Sequence, residues 1–568
     1  MQNNQDEDSF KNKKISMGEN MSNTEQSKYA LAMYDVRGKQ EFIFRTNKLQ
    51  VIVGGSWIIR DIFKDYLFDS AKEVVQNSKG IFNYKDDSIS SEKKFTENNF
   101  KKHIEEGYIG EVVYEGGGNF LVLFKDMTSF RDVTYKFTKQ ILEKVGTLKV
   151  LATAIEIDSF ENYKEDQKKL RKEHTKNEAQ ESNISPWSCL PIVQVDRKTT
   201  QALVEYDYSS EQLKYAGKIK NKGVRGKLSK ESIAKLVKYY SEMDRINNKD
   251  EEKLTELERV FYKNNEKILD NLVDEKGVNS QLAVIYIDGN SMGAKSQEAT
   301  YGKKNYEESI EALRKFSEET QTMYVDEGTK HALKDVSNEE NSFRIVVSAG
   351  DEINFIVKAK DAFSCAENYL NYLKEEDGNN SACAGIAVFH SHSPYSDAYR
   401  IAEEACESGK QKMKKANLET AAFIDFHICQ GATGTSLDTI REEENGTIIS
   451  RPWMMWCKEK TSAPLTHYKE VKDLIDYLNN FSRTNIKGLA NAAKESKAAL
   501  QMELDRMFGH STKKSDVKIK EDYKTIRKKL NDEKDDLVRS IIYDISISYD
   551  LWFTAKKENE GDDKNGND

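Results

Sequence analysis

Phe343–Val357 reads FRIVVSAGDEINFIV. Two apolar runs, Phe343–Val347 and Ile353–Val357, flank the tetrad Ala349-Gly350-Asp351-Glu352, a pattern that predicts two strands joined by a tight, glycine-containing turn. Upstream, Ile285-Tyr286-Ile287 ends at Asp288. If the strand ending at Asp288 lies beside the hairpin, carboxylates from two adjacent strands share one edge of a sheet. Two-metal nucleotidyl transfer needs that arrangement, because Mg²⁺ takes hard oxygen ligands and must bridge them to substrate phosphates.

Working outward, the same order of elements occurs twice. The tetrad sits in a series of strand 282–287, helix 305–325, strand 343–347, strand 353–357, helix 361–374 and strand 382–389, followed by helix 396–415 and strand 421–428. The earlier series begins with the strand Tyr29–Tyr34 (YALAMY). Leu49–Val75 follows, with helical spacing at Trp57, Ile58, Ile62, Tyr66 and Leu67, and then a polar insertion, Asn77–Lys101. Val112-Val113-Tyr114, the turn Glu115–Asn119 and Phe120–Phe124 form a second hairpin, before helix Ser129–Val145 and strand Lys149–Ile157. The order β-α-β-β-α-β is the ferredoxin-like unit, and its duplication organises the chain. The fold class expected is α+β: two ferredoxin-like, polymerase-palm domains at 28–160 and 278–430. A charged, mostly helical linking domain occupies 161–277, with Cys189–Val195 strand-like, and a helical C-terminal domain occupies 431–556. Residues 1–27 and the acidic tail 557–568 are expected to be disordered, being polar and poor in large apolar residues.

Bulk composition excludes several classes. With 568 residues, 38% hydrophobic and 32% charged, core formation is not limiting. A net charge of −9 means that any nucleic-acid contact must come from local basic patches. The 6 cysteines contain no C-x-x-C and are expected to be buried and reduced, without a structural zinc. No apolar run approaches a membrane span and no signal peptide is visible, so a cytoplasmic location without membrane contact is expected.

The candidate site collects Asp288, Asp351 and Glu352 as catalytic, metal-holding carboxylates. Gly350 permits the turn and close approach to a phosphate. Gly289, Asn290, Ser291, Met292 and Gly293 lead into a helix, where their amides can cradle a triphosphate. Lys410 lies where it can reach β/γ-phosphates. Taken singly, Gly-Asp-Glu reads first as an ordinary polar turn, and Lys410, followed by Lys412, Lys414 and Lys415, first as a solvated helix face; it is the matching acid, the strand order and the downstream cation together that favour a site. His390 and His392 have no third ligand in the sequence and are not assigned to a metal. The basic run Lys214, Lys218, Lys220, Lys222, Arg225, Lys227 and Lys230 suits RNA and a solvated surface alike. Lys513–Lys529, with acids interleaved, suits a solvated helix.

Tyr34–Arg60, Tyr114–Phe120 (YEGGGNF), Ile285–Gly293 (IYIDGNSMG), Ser348–Phe355 (SAGDEINF) and Ala384–His390 (AGIAVFH) together resemble the large palm-domain subunit of type III CRISPR effector complexes. More distantly they resemble GGDEF nucleotidyl cyclases. The resemblance implies a metal-dependent nucleotidyltransferase that uses Mg²⁺ or Mn²⁺ and joins ATP into cyclic oligoadenylate second messengers on its second palm. Its partners would be other effector subunits and guide or target RNA. By the resemblance, the family's Gly-Gly-Asp-Asp turn falls on Ala349–Glu352, its first-strand acid on Asp288 and the phosphate-binding lysine of the GGDEF relatives on Lys410. This sequence departs from the family at Ala349, at Glu352 and at Asn290, where a second acid is usual. It contains no His-Asp dipeptide, hence no HD nuclease, and no zinc cysteines between the palms. The first palm, with Gly117-Gly118-Asn119, would be the non-catalytic partner. Two alternatives stay open: a palm scaffold of an RNA-guided complex without turnover, and a stand-alone signalling cyclase.

Overall fold

The computed structural model describes residues 28–553 apart from 76–77, 87–92, 117, 181–192, 197–198, 205–214, 221–227, 249–268, 270–271, 274–279, 337–341, 377–378, 431–434, 446–447, 514 and 533–535. The two termini expected to be disordered lie outside the described residues, as do Cys189–Ile192 of the strand-like stretch.

Five strands make the first sheet: β1 (Tyr29–Arg37), β2 (Gly80–Phe82), β3 (Tyr108–Gly116), β4 (Asn119–Phe124) and β5 (Lys149–Ile157), in the order β2-β3-β4-β1-β5. A short pair, β6 (Leu203–Val204) and β7 (Leu228–Ser229), follows. The second sheet contains β8 (Gln281–Gly289), β9 (Phe343–Ala349), β10 (Glu352–Lys358), β11 (Ala382–His390), β12 (Ala421–Ile428) and β13 (Trp453–Cys457), in the order β13-β12-β11-β8-β10-β9. Each sheet thus holds a four-stranded ferredoxin-like centre, with its first strand between the hairpin and the strand after the second helix. Apolar strand sequence reflects burial on both faces: six consecutive residues of β8, Leu282–Ile287, are buried.

Two expectations are corrected. The polar insertion holds β2, parallel to β3 at the sheet edge, and the helix Glu97–Glu105, whose cap Thr96 accepts from the Asn99 amide at 3.0 Å. The region expected to be helical from 431 onward contributes β13, which pairs antiparallel with β12. Trp453, fully buried, packs there against Phe426. The cysteines are partly as expected: Cys365, Cys383 and Cys406 are free and buried, whereas Cys429 and Cys457 are half-buried.

The two sheets are joined through buried polar contacts. Helix Tyr306–Thr320, which follows β8, presents Arg314 to the fully buried Glu111 of β3 at 2.9 Å. Glu111 also meets His103 Nδ1 at 2.9 Å. Tyr306 donates to Asp166 at 3.0 Å from the same helix. Phe44, in the helix Lys39–Phe44, lies on Tyr399 with ring centroids 3.8 Å apart. Among the described residues no helix is long and apolar enough to cross a membrane.

Candidate active site

The site forms where the central strands of the second sheet end together. β10 runs antiparallel to β8 with Glu352 opposite Asp288 and Ile353 opposite Ile287. Across the hairpin, Ala349 pairs with Glu352. Gly350 turns the chain at φ 69°, in the left-handed region that a side chain disfavours. The Gly289 amide donates to the Asp351 carbonyl at 3.1 Å and fastens the turn to the end of β8.

A helix brings the basic partner. At Gly385 of β11 a Cβ would stand 1.9 Å from the Ala402 carbonyl oxygen, so helix Tyr395–Lys415 rests directly on the strand. Lys410 Nζ thereby reaches Asp288 Oδ2 at 2.6 Å and the Gly289 carbonyl at 3.0 Å. Its side chain is only 16% exposed, so Lys410 is part of the site and not a solvated helix face. From the same helix the Tyr399 hydroxyl donates to Glu352 at 3.3 Å.

The electrostatics are those of crowded acids. Loss of solvent, then the charge of Asp288 and a hydrogen bond shared with it, pushes the Asp351 carboxyl up to about 7. Loss of solvent, then Asp288, Glu403 and Asp351, pushes Glu352 up to about 8. Glu403 rises to about 7, through loss of solvent and then Asp288. Burial pulls Lys410 down, but the attraction of Asp288 outweighs it and raises its pKa. A cavity of about 700 Å³, within the range of small-molecule sites, opens over these groups. Asp288, Asp351, Glu352, Met292 and Gly293 line one side of it, and Lys39, Tyr114, Gly118 and Asn119 of the first unit line the other.

Among the described residues no group of three or more His, Cys, Asp and Glu is arranged to hold a metal ion. The pair Asp288 and Asp351 nevertheless fits a divalent cation. They are hard oxygen donors close enough that the charge of Asp288 raises the Asp351 carboxyl, and Mg²⁺ is commonly held by one or two carboxylates with phosphates and water completing its shell.

Residues 281–419 match the family described as Cas10/Cmr2, second palm domain. That stretch, which holds the acids and Lys410, is similar to a Cas10/Cmr2 second palm domain. No curated protein matches the chain. Among solved structures, the Csm1–Csm4 cassette in complex with one ATP has a TM-score of 0.51 at 11% identity, covering 93% of this chain and 70% of that one. At that identity the likeness is one of fold. The cassette with pppApA gives 0.48 at 11% identity, covering 93% and 69%. The cassette with AMPPNP gives 0.42 at 12%, covering 70% and 54%. The chain therefore spans little more than half of one of these matched chains and 69% to 70% of the other two.

Within this palm domain the structure brings Asp288, Asp351, Glu352, Gly350 and Lys410 together, and it corrects the expected phosphate cradle. The Gly289 amide is taken by Asp351 and the Asn290 amide by the Ser381 carbonyl at 2.9 Å, leaving Ser291, Met292 and Gly293 at the start of helix Met292–Ala299. Asn290 is buried, with its amide nitrogen donating to Ser381 Oγ at 2.9 Å and the Ala421 carbonyl at 2.8 Å. It ties the end of β8 to the starts of β11 and β12. His390 and His392 contact each other, the His392 amide donating to His390 at 3.2 Å. Of the basic run, Lys214, Lys222, Arg225 and Lys227 lie outside the described residues, and Lys218 stands 5.1 Å over the Tyr240 ring.

Two acids escaped the sequence. Glu403 lies two helical turns before Lys410, on the same face, and accepts from Gln40 of the first unit at 3.3 Å. That spacing was the available signal. Asp35 in β1 lies opposite Asn119 as Asp288 lies opposite Glu352. Its carboxylate is held by Arg37 at 2.9 Å.

Proposed function

We propose that this protein is a nucleotidyltransferase whose second palm joins ATP molecules by 3′–5′ linkages into cyclic oligoadenylates. It would do so as the large subunit of a type III CRISPR effector complex, with other effector subunits and guide or target RNA as partners. The observation that carries the reading is the meeting of Asp288, Asp351 and Lys410 at one sheet edge beneath a nucleotide-sized cavity. The related cassettes are described in complex with ATP and with cA4, which supports the choice of substrate and product class.

In this reading Asp288 and Asp351 hold Mg²⁺ or Mn²⁺. The chemistry supplied there is acidification of the attacking 3′-hydroxyl and neutralisation of the phosphate charge. Lys410, paired with Asp288 in the structure, is placed to donate to the terminal phosphates. The helix N-terminus at Ser291–Gly293 adds amides and a favourable dipole for an anion. Glu352, which lines the cavity beside the pair and accepts from Tyr399, adds to their charge environment. The two units facing one cavity bring donor and acceptor nucleotides together, which supplies orientation.

The test is incubation of the purified protein with ATP and Mn²⁺, with and without RNA, and mass spectrometry of the products. Cyclic adenylates from wild type and none from Asp351→Ala are expected. ATP binding without any product would instead favour a palm scaffold that has lost turnover, a reading to which the inward-facing Asn290 gives its one support.

A further inference from the structure

The registers of the two sheets bring the ends of their turns into correspondence. Gly116 pairs with Asn119 as Ala349 pairs with Glu352, so Gly118 stands where the second turn has Asp351. What fills the space over Gly118 is a cation. A Cβ built on Gly118 would lie 2.5 Å from Lys39 Nζ and 2.6 Å from its Cε. Lys39 opens the helix Lys39–Phe44 directly after Gly38 and lines the cavity across from the acids. Burial lowers the pKa of its amine, while Asp35, Glu352 and Asp351 oppose that effect and Arg37 adds to it.

Of these acids Asp35 is already held by Arg37, and Lys410 holds the neighbouring Asp288. Lys39 lines the cavity from the first unit, and Lys410 holds Asp288, which lines it from the second together with Asp351 and Glu352. An anionic chain laid over Asp288 and Asp351 is flanked by both amines. We propose that Lys39 supplies, from the first unit, the cation that grips the polyphosphate of a nucleotide held over the acids of the second. The proposal rests on the nucleotide reading above and adds to it a binding residue on the opposite sheet.

Calorimetry on the full-length protein tests it, with ATP and AMP as probes. Charge-assisted hydrogen bonds are the stronger class. Lys39→Met is therefore expected to weaken ATP binding about tenfold or more, AMP binding less than about twofold, and Lys39→Arg to restore ATP affinity. Gly118→Ala, which places a methyl group on the amine while retaining Lys39, is expected to weaken ATP in the same direction. It serves as the second variant should Lys39→Met melt without cooperativity. Equal ATP affinity in wild type and Lys39→Met overturns the proposal, as does a parallel loss for ATP and AMP, which marks a merely structural lysine. A wild-type protein that binds no ATP overturns the nucleotide reading itself, and this inference with it.

Discussion

The hairpins of the two sheets share a strand register and differ in charge. Both join antiparallel strands beside a central strand that ends in an acid, Asp35 in the first and Asp288 in the second. In the second sheet the turn adds Asp351 and Glu352, and a helix seated on Gly385 adds Lys410 and Glu403. In the first, the turn offers Gly118 and Asn119, and the acid is closed off by Arg37 and approached by His174 at 3.8 Å. The same backbone thus makes a crowded anionic edge in one copy and a cation-capped edge in the other. Chemistry on a duplicated fold is decided by what stands at four or five equivalent positions.

The strongest way to break this comparison is to exchange the roles of the acids. Asp351→Ala is expected to lower product formation by roughly a thousandfold, about 4 kcal/mol of barrier, whereas Asp35→Asn should cost less than about tenfold. Comparable losses in a product assay would erase the distinction between the sheets. Next in size is the bridge that makes the sheets one body. Arg314→Met leaves Glu111 buried beside His103 with its main cation removed, and a loss of about 3 kcal/mol in denaturant unfolding is expected. An unchanged midpoint would mean that the units are held by apolar contact alone.

The acid cluster of the second sheet predicts a pH dependence. Asp351, Glu352 and Glu403 keep protons up to about 7, 8 and 7, whereas the unfolded chain releases them in the ordinary carboxylate range. Between those limits the folded state binds more protons, so stability falls as pH rises from about 5 to 8. Partial exposure reduces the effect to about 2 kcal/mol in total. Thermal melts should show the fall, Asp351→Asn should flatten it, and Mn²⁺ at pH 8 should reverse it. A flat profile in wild type would show that the carboxylates do not crowd one another. The smallest effect is at the turn itself: Gly350→Ala is expected to cost about 1 kcal/mol because of its positive φ, and Ala349→Gly a few tenths.

The pairing of the acids was legible because strand order follows from apolar runs of the right length, and a ferredoxin-like order puts the first and third strands side by side. Asp288 opposite Glu352 is a direct consequence. Four features were not legible, for different reasons. β2 is only three residues long and lies in a polar stretch, and β13 (WMMWC) is a five-residue run far along the chain that joins its sheet at the edge. Neither has enough periodicity to separate it from its surroundings. Glu403 is one of several acids on its helix, and only the seat at Gly385 distinguishes it from Glu404 and Glu407. Asn290 reads as a lost ligand, but its side chain is spent inside the sheet, a direction that composition does not encode.

Lys235 gives the linking region mechanical leverage over the cavity. It extends from the helix Lys230–Asn248, is fully buried, pairs with Glu231 at 2.6 Å and donates to the Phe42 carbonyl. Phe42 sits one turn from Lys39 on a helix of six residues, too short to bend independently of its ends. Helix Lys230–Asn248 and the short helix that carries Lys39 are thereby tied together, so a displacement of one would be carried to the amine on the other.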